Sequence, residues 1–214
     1  MQGFGRVFTI GSMNRFCQRG FNLIELMVTV SLVAILMGIA LPSMRDFIRN
    51  NRLSSGVNHM LHSLNVARTE SIKRQQFNVV VCGTATPDVA DAAKLCDYNS
   101  FVGWFVFVDI NNNWQHENAE PVVEAHSVLD PSVTVKLDAN DAIFNYGPSG
   151  FAVPAGVRVP TATMILCDAR GIQQEGANTT ARALFVTVTG RARASASYAE
   201  VNGPAKAAVG GGCP

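Results

Sequence analysis

From Phe21 to Leu41 the chain reads FNLIELMVTVSLVAILMGIAL, 21 residues with a single ionisable side chain, Glu25. Few folds accommodate such a run. As a helix it spans about 31 Å, enough to cross a hydrocarbon core of roughly 30 Å. No second run of this length occurs in the 214 residues, so one membrane crossing is expected. A carboxylate inside such a helix is costly and marks a function by default. Its natural partner is a cation at the same depth.

The flank of the run is as informative as the run. Arg6, Arg15 and Arg19 precede Gly20 with no acid among them. A secretory signal peptide places basic, apolar and cleavage regions in that order. Here the basic stretch NRFCQRG abuts the apolar run directly, with the small residue Gly20 at the junction. Cleavage after Gly20 would make the apolar run the new N-terminus instead of discarding it. The free amine of Phe21 would then supply the cation for Glu25, within one subunit or between neighbours, and set axial register. Charge alone does not orient the span, because Arg45, Arg49 and Arg52 flank its other end.

The segment Gly20-Phe21-Asn22-Leu23-Ile24-Glu25-Leu26 resembles the class III signal of type IV pilins and type II secretion pseudopilins, with Asn22 in place of the usual Thr. The resemblance implies that prepilin peptidase cuts between Gly20 and Phe21 and methylates the Phe21 amine. It implies that Glu25 serves assembly with other major and minor pilins. It also implies an inner-membrane protein whose head lies in the periplasm and passes into a pilus fibre or tip. Pro42 falls where helices of that family commonly bend.

Four regions are expected: a leader over 1–20, a transmembrane assembly helix over 21–41, its amphipathic continuation over 42–76, and a β-rich head over 77–214. In the continuation, Leu53, Val57, Met60, Leu61, Leu64 and Ile72 follow helical spacing. After Gln76 the period changes to that of strands. β-Branched or aromatic runs occur at Phe77–Cys82, Val102–Val108, Val122–Val128, Val133–Leu137, Ala142–Tyr146, Thr163–Cys167 and Ala183–Thr189. A helix followed by strands predicts an α+β fold, the helix packed on antiparallel sheet. The stretches Gly103–Asn112, Phe144…Gly147…Gly150, Leu166-Cys167-Asp168 and Val188-Thr189-Gly190-Arg191 are similar to the GspH/FimT/FimU branch of minor pilins and pseudopilins. That resemblance implies a β-sandwich-like head.

Cys17 would leave with the leader. Cys82, Cys96, Cys167 and Cys213 remain, an even set in an exported domain where disulfides persist. Three pairings are possible. Cys82–Cys96 with Cys167–Cys213 is preferred, because it closes one short polar loop and ties the Gly-rich tail to the body. Charge is segregated: residues 86–145 hold ten acids against two bases, which predicts an acidic side.

In Gly190-Arg191-Ala192-Arg193 two arginines stand two apart. On a strand they share a face about 6.6–6.8 Å apart, spaced to grip successive phosphates. Arg182, Arg158 and Lys206 are further candidates for that surface. The motif resembles the Gly-Arg-x-Arg of FimT-type pilins and implies double-stranded DNA as a partner in natural transformation. A purely structural role in pilus assembly and twitching, as in FimU-like pilins, and a GspH-like pseudopilin of type II secretion share the other motifs.

Asp109-Ile-Asn111-Asn-Asn113 matches the opening of a calcium loop but has Trp, not Gly, at the sixth position, so a hairpin turn is expected. His59 and His62 share a helix face without a third ligand. Trp104 is expected in the core and Trp114 at the surface. No nucleophile elbow, catalytic triad or phosphate loop occurs. Neither an enzyme, a cofactor nor a metal is expected.

Overall fold

The computed structural model describes residues 20, 22–97, 101–127, 129–138, 143–153, 162–211 and 213. The expectations for residues 1–19, Phe21 and Arg158 lie outside them. The chain divides into two compact units, Met1–Met44 and Arg45–Pro214.

Helix α1 (Leu23–Arg74) is 52 residues long and passes Pro42 without a break. It ends where Gln75 takes φ 54°, its N–H still donating to Ser71 O at 3.2 Å. Lys73 and Arg74 in the last turn complement the helix dipole and pair with Glu70 at 2.8 and 3.3 Å.

The head holds two open antiparallel sheets. In the first, β3 (Val122–His126), β2 (Gly103–Asp109), β1 (Asn78–Thr84) and β5 (Ile143–Tyr146) lie in that order. In the second, β4 (Thr134–Leu137), β6 (Ala162–Cys167) and β8 (Asn178–Val186) are neighbours, and the short β7 (Gln174–Glu175) and β9 (Ala192–Ser197) both pair with β8. Strand alternation gives each sheet two apolar faces. Val79, Val81, Trp104, Val106, Phe144 and Tyr146 of the first sheet, and Met164, Leu166, Leu184 and Val186 of the second, share a core with Leu53, Val57, Met60, Leu64 and Ala67 of α1. The helix is therefore the common partner of both inner faces.

Each outer face has its own cover. Val80, Cys82, Phe105 and Phe107 pack with Cys96 and Trp114. Ile165, Cys167, Ala181 and Ala183 pack with Val201 and Ala205 of the tail, which folds as α2 (Tyr198–Glu200), a π-helical turn (Val201–Ala205) and α3 (Lys206–Ala208). A disulfide joins each cover to its sheet: Cys82–Cys96, with Cα atoms 5.6 Å apart, and Cys167–Cys213, 6.0 Å apart.

Three details differ from the sequence reading. The inward positions of α1 repeat at four and three residues from Leu53 and so reach Ser71, fully buried, leaving Ile72 45% exposed. Trp114 is half-buried on the outer face of the first sheet, not at the surface. Strand β8 starts at Asn178, five residues before the β-branched signal, because β7 and β9 offer it a ladder there.

Candidate functional site

Two regions carry the residues singled out by sequence. In the first unit, the apolar side chains of α1 are solvent-exposed from Leu23 onward, among them Ile24, Val28, Leu32, Leu36 and Ile39. This helix is long and apolar enough to cross a membrane. Its hydroxyls do not break that character, since Thr29 and Ser31 donate to Leu26 O and Met27 O of the preceding turn at 2.9 and 2.8 Å. Gly20 is exposed, and Glu25 lies exposed in the first turn with no ion pair among the described residues.

The second region is the β8–β9 hairpin that carries the Gly-Arg motif. Thr187 N donates to Arg191 O at 2.9 Å and Gly190 N to Thr187 O at 2.8 Å, closing the turn. Gly190 sits at φ +74°, and a Cβ there would lie 2.1 Å from Gly150 O. Only glycine allows that approach. Arg68 of α1 fixes both partners, its Nε donating to Gly150 O at 3.0 Å and its Nη2 to Thr189 O at 3.2 Å. The helix end, the 147–150 turn and the hairpin thus form one locked corner beneath Arg191.

The four described basic candidates do not form one surface. Arg191 is exposed, and its guanidinium has no hydrogen bond or ion pair among the described residues. Arg193 lies over the Phe185 ring, 4.4 Å from its centre, and pairs with Glu200 at 2.9 Å. Its hydrogen bond to Glu200 raises the Arg193 pKa, and the same bond holds the Glu200 carboxyl below its usual value. Arg182 is on the opposite, helix-facing side of β8, where its Nη1 donates to Thr179 O and Ala181 O. Lys206, on the tail, donates to Asn202 Oδ1 at 3.3 Å.

Sequence reading passed over an ionic hub. Arg170 meets Asp168 at 2.7 Å, Asn50 Oδ1 at 2.8 Å, and Asp46 and Glu175 at 3.7 and 3.8 Å. Burial pushes the Asp168 carboxyl up, but the hydrogen bonds and charge of Arg170 outweigh it and leave the pKa lowered. The only signal in the sequence was an Asp two residues before an Arg after a strand, too common to single out. Among the described residues no three His, Cys, Asp or Glu side chains converge as a metal site; the His59 ring lies 4.5 Å from that of His126, which stacks on Trp104. Trp104 is buried and donates to Ser63 Oγ at 2.8 Å.

Residues 56–191 match the family described as type II transport protein GspH, and residues 15–41 match the prokaryotic N-terminal methylation motif. No curated protein matches the chain significantly in sequence. Among solved structures, the type IV minor pilin FimU of Pseudomonas aeruginosa PAO1 is similar in two crystal forms. The P21 form is 16% identical with a TM-score of 0.48, over 71% of this chain and 98% of that one. The P65 form is 16% identical with a TM-score of 0.45, over 67% and 92%.

Proposed function

The chain belongs to the GspH family, and from that membership we propose that it is a minor pilin or pseudopilin which prepilin peptidase cuts after Gly20 and methylates at Phe21. The observation that carries this is the exposed apolar half of α1 with one carboxylate, Glu25, in its first turn. Those side chains require cover, first by lipid and then by the helices of neighbouring subunits. Glu25 takes the Phe21 amine of its own or an adjacent subunit as counter-charge. Before assembly the protein is held in the inner membrane with its disulfide-bearing head in the periplasm, an oxidising compartment. The test is co-expression with prepilin peptidase, followed by mass spectrometry of the membrane fraction and protease treatment of spheroplasts. A mature chain beginning with N-methylated Phe21 and a protease-accessible head is expected. An uncleaved chain, or a head protected by the intact membrane, overturns the reading.

A second reading is favoured by the unpaired guanidinium of Arg191: double-stranded DNA bound at the hairpin in natural transformation, with Arg191 leading and Arg193 joining when released from Glu200. The full chain in detergent should shift duplex DNA in a salt-dependent way, and Arg191→Gln should weaken the shift. Without such a shift the role is structural, in a type IV pilus or in a type II secretion pseudopilus. Deletion of the gene then separates the two by loss of twitching or of secretion.

A further inference from the structure

Strand β9 closes one side of the second sheet. It pairs with β8 alone, and among the described residues no backbone hydrogen bond meets its other edge. An open ladder of this kind accepts another strand unless the sequence blunts it. Here the blunting is slight: β9 is Ala-Arg-Ala-Ser-Ala-Ser, with neither proline nor lysine, and its single charge, Arg193, is paired with Glu200 on the outer face.

Beside that edge runs a groove of about 250 Å³, lined by Ser54, Val57 and Asn58 of α1, Arg182 of β8 and residues 194–196 of β9. The small side chains of β9 leave it open. Its lining has no carboxylate, while Arg182, Asn58 and Ser54 can all donate hydrogen bonds. Arg182 is half-buried and its pKa is lowered, chiefly by burial; the charge of Glu175 offsets this only in part, and no carboxylate forms an ion pair with it among the described residues. Two carbonyls, Thr179 O and Ala181 O, accept from its Nη1, while its Nε and Nη2 make no hydrogen bond or ion pair among the described residues. A desolvated cation beside an open strand edge is complementary to an anionic side chain presented on an extended backbone.

We propose that this edge and groove dock an extended peptide segment of another polypeptide, which adds to β9 as a strand and places an acidic side chain against Arg182. Backbone pairing supplies the attachment, and the alternation of side chains along a strand puts every second residue into the groove. The site faces α1, on the opposite side of the sheet from the Arg193–Glu200 pair, so it is independent of DNA contact at the hairpin.

The full-length chain in detergent micelles is titrated with fluorescein-labelled Thr-Val-Thr-Glu-Thr-Val-Thr and with the same peptide carrying Lys for Glu. The Glu peptide should bind about tenfold more tightly, with amide exchange slowed over residues 192–197. Arg182→Gln should remove the preference. Asn58→Asp, on the exposed helix surface and so safe for folding, should weaken the Glu peptide while sparing its Lys twin. Equal binding of the two peptides, no binding of either, or protection confined to other segments overturns the proposal.

Discussion

Arg193 donates from both terminal nitrogens to Glu200, at 3.0 Å to Oε2 and 2.9 Å to Oε1, while its guanidinium carbon lies 4.4 Å from the centre of the Phe185 ring. The second arginine of Gly-Arg-x-Arg is therefore engaged from two sides, and the first, Arg191, is not.

This asymmetry ranks the arginines. If duplex DNA binds the hairpin, Arg191→Gln should lower affinity more than Arg193→Gln and reduce the salt slope by about one. Glu200→Gln should raise affinity by freeing Arg193. The pair also has a pH sign. The Arg193 hydrogen bond, then that of Ser195, holds the Glu200 pKa down, so the pairing persists above the ordinary carboxylate range and is lost as pH falls through the lowered value. Mobility shifts of the three variants at several salt concentrations check the order; equal effects of the two arginines would refute it.

Arg170 gives the largest expected stability effect. It is the charge that lets Asp168 remain ionised at 5% side-chain exposure. Replacing it by Met leaves that carboxylate buried and unpaired, which costs about 3–5 kcal/mol. Asp168→Asn with Arg170 intact leaves Asp46 and Glu175 in place and should cost less. Because the Asp168 pKa is lowered, its contribution is present above the unfolded value and disappears as pH falls through the folded one. Urea denaturation of wild type and Arg170→Met from pH 7 downward should therefore converge in acid.

What the sequence disclosed and what it hid follow from one distinction. Strands β1, β2, β5 and β6 are built from β-branched and aromatic residues, whose period is visible locally. Strand β9 is alanine, serine and arginine, and becomes a strand only because β8 supplies a ladder, so no local signal exists for it. The same limit separates Ser71 from Ile72: the apolar residue was the better guess, but the four-three repeat from Leu53 is set by where the sheets meet α1. Arg191 and Arg193 could be placed in one motif, as spacing alone requires. Glu200 seven residues on and Phe185 across the strand could not be read as their neighbours, nor could Arg182 be seen to lie on the opposite sheet face.

The two disulfides should differ in weight. Cys167–Cys213 spans 46 residues and Cys82–Cys96 spans 14, so loop-closure entropy assigns about 4 and about 3 kcal/mol respectively. Opening the longer one also releases Val201 and Ala205 from the outer face of the second sheet. Cys213→Ser should abolish exchange protection over residues 198–208 before the sheets lose theirs, whereas Cys96→Ser should leave the tail protected. Simultaneous loss everywhere in Cys213→Ser would refute the division into separate covers.

Two glycines at similar φ separate strain from crowding. Gly176 has φ +65° and open space around its missing Cβ, whereas Gly190 at +74° faces Gly150 O at 2.1 Å. Gly176→Ala should cost about 1 kcal/mol from the left-handed backbone alone. Gly190→Ala adds a clash with backbone and should cost at least about 2 kcal/mol more, with loss of the Arg68 bridge. Denaturation midpoints of the two variants at equal m-value make the comparison.

Glu25 offers the sharpest test of assembly. Its removal should not impair insertion, since neutralising the only ionisable side chain of the apolar run 21–41 lowers the cost of burying it. Nor should it impair cleavage, because the Gly20–Phe21 bond and the basic flank are untouched. On the proposed pairing, Glu25→Gln would remove the counter-charge for the Phe21 amine and leave an ammonium unpaired when the helix is surrounded by other apolar helices. The expected result is a processed, membrane-bound protein that fails to enter the sheared filament fraction, with Glu25→Asp recovering part of the incorporation. Immunoblots of membrane and sheared fractions decide it. Normal incorporation of Glu25→Gln would show that register is set by the apolar surface of α1 alone and that the carboxylate has no part in it.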